Sequence, residues 1–267
     1  MRAATTRALR AAGAIMAREL ARFLSQRERF LAALVRPLVW LFVFAAGFRA
    51  ALGMSIIPPY RTYITYETYI APGLCGMILL FSAMQSALSL VNDRESGTMR
   101  LMLTAPWPRW FLLGTKLLAG ALVGLVQVAV FLGVGWAYGI HLPPLGYLAA
   151  VPALLLSGLM LGSLGLLLSA RVRQLENFAG VMNFVIFPMF FLSSALYPIW
   201  KMQEASPALA WICRLNPFTH AVELIRFSLY LQGNALSLAV TAGATAVFFA
   251  LALWGYEPAR TRRPKGE

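Results

Sequence analysis

Few side chains in this chain could do chemistry, and their positions decide what it can do. There are ten acids, two histidines and two cysteines. Every acid, among them Glu67, Asp93, Glu95, Glu176, Glu204, Glu223 and Glu257, sits at or beyond the ends of the apolar stretches. A carrier driven by protons or sodium places ionisable groups within the membrane, facing a cavity. This distribution therefore argues against a self-powered carrier. His141 and His220 have no ligand-spaced partner, and Cys75 and Cys213 are too few for a zinc cluster or a disulfide framework. The two thiols are expected to be unpaired and buried rather than bridged. Neither a His-Glu-x-x-His helix nor a Gly-x-x-x-x-Gly-Lys-Ser/Thr phosphate loop occurs. No catalytic, cofactor-binding or metal-binding residue is assigned, and any work the chain does must be powered through a partner.

Two kinds of residue pattern remain. The first is a charged connector, residues 92–116, containing Asp93, Arg94, Glu95, Ser96, Gly97, Thr98, Met99, Arg100 and Leu101. Met99, Leu101, Met102 and Leu103 suit a short helix near the membrane surface, with Thr98 as its cap and Pro106 as its stop; otherwise this is an ordinary charged loop. The second is a pair of polar or aromatic stripes. Ser82, Gln85, Ser86, Ser89 and Asn92 recur at helical spacing, and so do Asn183, Phe187, Phe190 and Ser194. Such faces turn toward a cavity or toward protein. The plainer account is hydrogen bonding between neighbouring helices, at about 1 kcal/mol or less each.

The elements that must position these residues follow from composition. Of 267 residues 60% are hydrophobic and only 12% charged, whereas a soluble domain carries about a quarter charged. A span needs about 20 apolar residues, and six stretches qualify: about 31–49, 68–91, 117–139, 147–169, 177–199 and 234–255. The fold expected is an all-α membrane protein of six spans over residues 30–256. Residues 1–29 precede it; within them 5–29 reads as a basic amphipathic helix in the membrane interface. No cleavable leader is read there, so the first span is expected in the mature protein. Residues 257–267 form a basic tail. Pro188 is expected to kink the fifth span. Gly120 with Gly124, and Gly158 with Gly162, permit close helix contact. With the N-terminus inside, inner segments hold 17 of the 23 Lys and Arg and outer segments 5. The positive-inside rule thus puts both termini in the cytoplasm. The net charge of +13 is accounted for by lipid head groups, not nucleic acid.

The run Asp93-Arg94-Glu95-Ser96-Gly97-Thr98-Met99, followed by Leu103-Thr104-Ala105-Pro106 and a basic-aromatic turn into Gly114-Thr115-Lys116, resembles the signature of ATP-binding-cassette (ABC) type-2 permeases. The usual family form there is Thr-Pro or Ser-Pro, so Ala105 is a one-residue variation. Phe191 to Ile199 and Leu215-Asn216-Pro217-Phe218-Thr219-His220 to Arg226 are similar to the family's fifth-span end and outer region. The resemblance implies that residues 93–104 carry a helix seated in a cleft of a separate ATPase. It implies short, partly re-entrant outer helices over 200–233, and a cavity lined by the second and fifth spans between two permease subunits, identical or related. ATP and magnesium would be bound by the partner ATPase. The chain would be an exporter subunit in a bacterial inner membrane. A non-transporting membrane scaffold or assembly protein is the alternative from a different class.

Overall fold

The computed structural model describes residues 2–25, 34–44, 58–60, 64–97, 107–172 and 174–256. Among them every regular element is helical. In chain order these are α1 (Arg2–Ser25), α2 (Leu34–Val43, wound as a π-helix over Trp40–Phe44), α3 (Tyr66–Glu95), α4 (Arg109–Ala137), α5 (Pro144–Arg171), α6 (Leu175–Phe191), α7 (Ile199–Ala205), α8 (Pro207–Leu215), α9 (Pro217–Leu229) and α10 (Ala235–Gly255). Helices α3, α4, α5 and α10 are long and apolar enough to cross a bilayer, while α2 and α6 are shorter apolar helices. All six fall within or across the stretches expected from hydropathy. The ends of the first expected span, Thr98 to Leu101 of the connector, and the tail 257–267 lie outside the described residues.

Helix α3 is the most deeply buried of the four long helices and packs against α2, α4, α5, α6 and α9. Helix α10 is the least buried and lies mainly on α5, leaving Leu236, Leu238, Val247, Leu251 and Trp254 exposed. Helix α1 packs on α4 with Met16, Glu19 and Leu20 half-buried and Arg18 outward. The small residues behave as scaffold. Leu117 approaches Gly162 and Ala121 approaches Gly158 so closely that a methyl at either glycine would touch it.

Three boundaries differ from hydropathy. Helix α3 continues past residue 91 through Glu95, and α4 begins at Arg109 rather than 117. The backbone ladder does not stop where the lipid does; charged side chains end the apolar run but not the helix. Helix α6 instead stops early, at Phe191 rather than 199. Pro188 has no N–H to give, and its ring crowds the carbonyl one turn back. The chain then runs irregularly while Ser193, Ser194, Ala195 and Leu196 stay buried. Non-helical backbone at membrane depth persists only where protein satisfies its polar groups. Here Asn216 Nδ2 donates to the carbonyls of Met189 (2.8 Å) and Leu192 (2.7 Å). Tyr69 and Arg226 donate to the Ser194 carbonyl at 3.1 and 2.9 Å, and Tyr66 to that of Leu196 at 3.2 Å. Asn216 also caps α9, accepting from Phe218 N at 3.0 Å with Pro217 in the first turn.

This irregular segment lies directly on Gly73 of α3. A Cβ there would fall 2.3 Å from the Ala195 carbonyl oxygen and 2.7 Å from its Cα, so backbone must move. Gly73→Ala is expected to cost about 1–3 kcal/mol, read as a lower melting midpoint in detergent. Gly13→Ala on α1, with nothing within 4 Å, should leave the midpoint unchanged or raise it.

Candidate functional site

The last turn of α3 makes charged contacts with three neighbouring helices. Asp93 is buried and ion-pairs with Lys116 of α4, Nζ to Oδ2 2.5 Å, with side-chain exposures of 8% and 6%. The same Nζ lies 4.0 Å from Glu19 of α1. Arg94 donates from Nη1 to the carbonyls of Ser169 (3.3 Å) and Ala170 (3.1 Å). These belong to the final turn of α5, whose carbonyls lack helical partners and whose dipole favours a cation. Arg94 also faces the Tyr256 ring, just past α10, at 5.8 Å. Ser169 gives its hydroxyl proton to the Leu166 carbonyl, so Tyr256 donates to Ser169 Oγ at 2.7 Å. Burial raises the Tyr256 pKa above the usual phenol range, keeping it that neutral donor. Glu95 Oε1 accepts from Leu175 N at 3.0 Å, placing a carboxylate on the N-terminus of α6.

These contacts move one boundary: Asp93, Arg94 and Glu95, expected in the connector beyond the second span, are the last turn of α3. Ser96 and then Gly97, at φ +75°, close it. Three consecutive residues therefore tie α3 to α4, α5 and α6, and through Lys116 and Tyr256 to α1 and the end of α10. The spans are also less free of ionisable groups than hydropathy implied, since Lys116 and Asp93 are buried within helices.

The polar stripe of α3 is brought together as expected. Ser82, Gln85, Ser86 and Ser89 line one cavity of about 220 Å³ between α1, α2, α3, α4 and α5. Asn92 is exposed on the same helix. The stripe expected on the fifth span divides instead. Asn183, Phe187 and Phe190 share one face of α6, the first two exposed and the third buried, but Ser194 lies beyond the helix end. Phe187 and Phe190 line a second cavity, of about 160 Å³, with Trp40, Met77 and Ile186. Cys75 and Cys213 are free and buried.

Sequence reasoning passed over Glu19, Lys116, Gln127 and Arg226 as individual sites. Gln127 was detectable as a lone amide in an apolar span. Lys116 and Arg226 were read only as boundary charges. The Glu19–Lys116–Asp93 chain joins residues far apart in sequence, which no local spacing reveals.

Comparison with known proteins adds a family. Residues 10–230 match the family model described as ABC-2 type transporter. The chain is 30% identical over 183 residues to the "Probable multidrug ABC transporter permease YbhR" of Escherichia coli K12, covering 67% of this chain and 48% of that protein. It is 29% identical to the "Putative transport permease ycf38" of Cyanophora paradoxa, over 74% of this chain and 66% of that one. It is 27% identical to "Nodulation protein J" of Rhizobium leguminosarum bv. trifolii, over 72% and 71%. The match thus spans about half the length of YbhR.

Proposed function

The chain belongs to the ABC-2 type transporter family, and on that premise we propose that it is the membrane permease subunit of an ATP-driven exporter whose ATPase is a separate chain. It is an integral membrane protein with several candidate spans. In the proposed assembly the connector between α3 and α4 lies in the cytoplasm, with both termini, and receives the ATPase of a bacterial inner-membrane complex. The observation that carries this reading is the last turn of α3. A push on the connector reaches Asp93, Arg94 and Glu95 first, and these hold α4, α5 and α6 by charge-assisted contacts. Packed helices respond to such a push by rigid-body motion rather than gradual deformation.

The polar face of α3 serves as part of the substrate route in this proposal. A second permease subunit would meet the exposed apolar faces of α2 (Val35, Val39, Val43) and α6 (Phe184, Phe187, Phe191). These two helices already pack on each other through Trp40, whose ring lies 6.0 Å from those of Phe190 and Phe191.

The test is purification of the tagged chain from its native membranes, with ATP hydrolysis as readout. The expected result is a stoichiometric P-loop ATPase in the purified complex, and no hydrolysis by the chain once stripped of it. A chain that purifies without such a subunit, or hydrolyses ATP alone, overturns the proposal.

A further inference from the structure

Helix α10 is the least buried of the long helices, yet its inner end is well anchored. Tyr256, which follows its last residue, is 6% exposed. It packs in a cluster with Leu90 of α3, Leu113 of α4, Leu166 and Ala170 of α5 and Ala252 of α10, distinct from the main apolar core. Helices α10 and α5 approach closely there: a methyl at Gly255 would fall 2.9 Å from Ala170 Cβ. The Tyr256 hydroxyl, on Ser169 Oγ at 2.7 Å, fixes the far edge of the ring. Tyr256 is therefore placed by contacts that do not depend on Arg94.

Arg94 is less secure. It is only partly buried. Its bonds to the Ser169 and Ala170 carbonyls, at 3.3 and 3.1 Å, are longer than the roughly 2.7–2.9 Å of a strong charge-assisted bond. A long side chain gives up several free torsions to hold one such pose. The Tyr256 ring, 5.8 Å from the guanidinium carbon, supplies a third contact from a side chain that is itself fixed. We infer, resting on the permease reading above, that Tyr256 is a positioning residue for coupling: it holds Arg94 on the last turn of α5, so that the inner ends of α3, α5 and α10 answer a push on the connector as one body. Tyr256 acts through Arg94 and needs no contact with the ATPase. Helix α10, which otherwise lies mainly on α5, is thereby tied to the turn that receives the push.

The test uses the complex purified with its ATPase, in lipid nanodiscs, with Gln85→Cys as reporter; Gln85 is exposed on the polar face of α3. Its rate of modification by a small thiol reagent is measured with and without ATP and vanadate, and the unsubstituted complex corrects for native thiols. The ratio of the two rates is the response. Tyr256→Leu, which fills the space without ring or hydroxyl, should lose most of the response while the ATPase stays bound at the parental stoichiometry. Tyr256→Phe keeps the ring beside Arg94 and should give an intermediate response. Ser169→Ala breaks the same hydroxyl contact from the other side, so adding it to Tyr256→Phe should reduce the response little further. Gly73→Ala, destabilising near the opposite end of α3, controls for stability alone and should keep the parental response. A parental response in Tyr256→Leu, a response in Tyr256→Phe as low as that in Tyr256→Leu, or an equal loss in Gly73→Ala overturns the inference. A parent complex that hydrolyses ATP without any response overturns the permease reading and the inference with it, so the two failures are told apart.

Discussion

Replacing Arg226 by methionine is expected to destabilise the folded chain by about 3–5 kcal/mol, the cost of removing one partner from a buried ion pair. Arg226 is 2% exposed in the last turn of α9. It donates to the Glu223 carboxylate and, at 2.9 Å, to the Ser194 carbonyl, and its guanidinium lies 4.2 Å above the Tyr69 ring. Methionine fills part of the volume but leaves the Glu223 carboxylate half-buried and uncompensated. It also leaves the Ser194 carbonyl to Tyr69 alone, in a buried stretch whose backbone is not helical. Arg226→Lys keeps the charge, but a single ammonium cannot reach both oxygens as the planar fork does. Its loss should be intermediate, about 1–3 kcal/mol. Arg226→Met combined with Glu223→Leu should recover most of the loss, because the uncompensated carboxylate is gone. The measurement is the thermal midpoint of the detergent-solubilised protein followed by size exclusion. A single mutant melting with the parent, or a double mutant worse than the single, shows that the pair does not hold the segment.

The same region marks what the sequence could and could not reveal. Asn216-Pro217 was legible as a turn, and the structure makes it the cap of α9, because a short polar side chain before proline has few other uses. Pro188 was legible as a break in the fifth span. That no helix resumes over 191–198 was not, because the donors that hold this buried backbone, Tyr66, Tyr69, Asn216 and Arg226, come from distant parts of the chain. The stripe of α3 was legible because spacing along one helix is local information. The stripe proposed on the fifth span failed at Ser194 for the complementary reason: helical spacing means nothing beyond a helix end. Asp93, Arg94 and Glu95 stood out in the sequence through their resemblance to a family signature. What they touch could not be read there, since each partner lies on a different helix.

Reversing the charge at Asp93 is the second large effect. Asp93→Lys would set two ammonium groups where one ion pair now stands at 2.5 Å, both almost wholly buried. The lost pair alone costs about 3–5 kcal/mol, and repulsion adds to it. Little folded protein should survive detergent extraction. Exchanging the pair, Asp93→Lys with Lys116→Asp, restores attraction between those two sites but puts a carboxylate beside Glu19, which lies 4.0 Å from the present ammonium. Rescue should therefore be partial. Adding Glu19→Lys inverts all three charges together and should return most of the stability. This series separates two ways in which the turn could serve the proposed coupling. If Asp93 acts by tying α3 to α4 and α1, its burial at 6% exposure makes its sign irrelevant to any outside partner. The triple reversal should then restore ATPase binding and coupled hydrolysis in step with the melting temperature. A triple mutant that folds normally yet remains uncoupled would place the role of Asp93 in direct contact with the ATPase. The path of force would then have to run through Arg94 and Glu95, whose carbonyl and amide contacts on α5 and α6 the reversal leaves untouched.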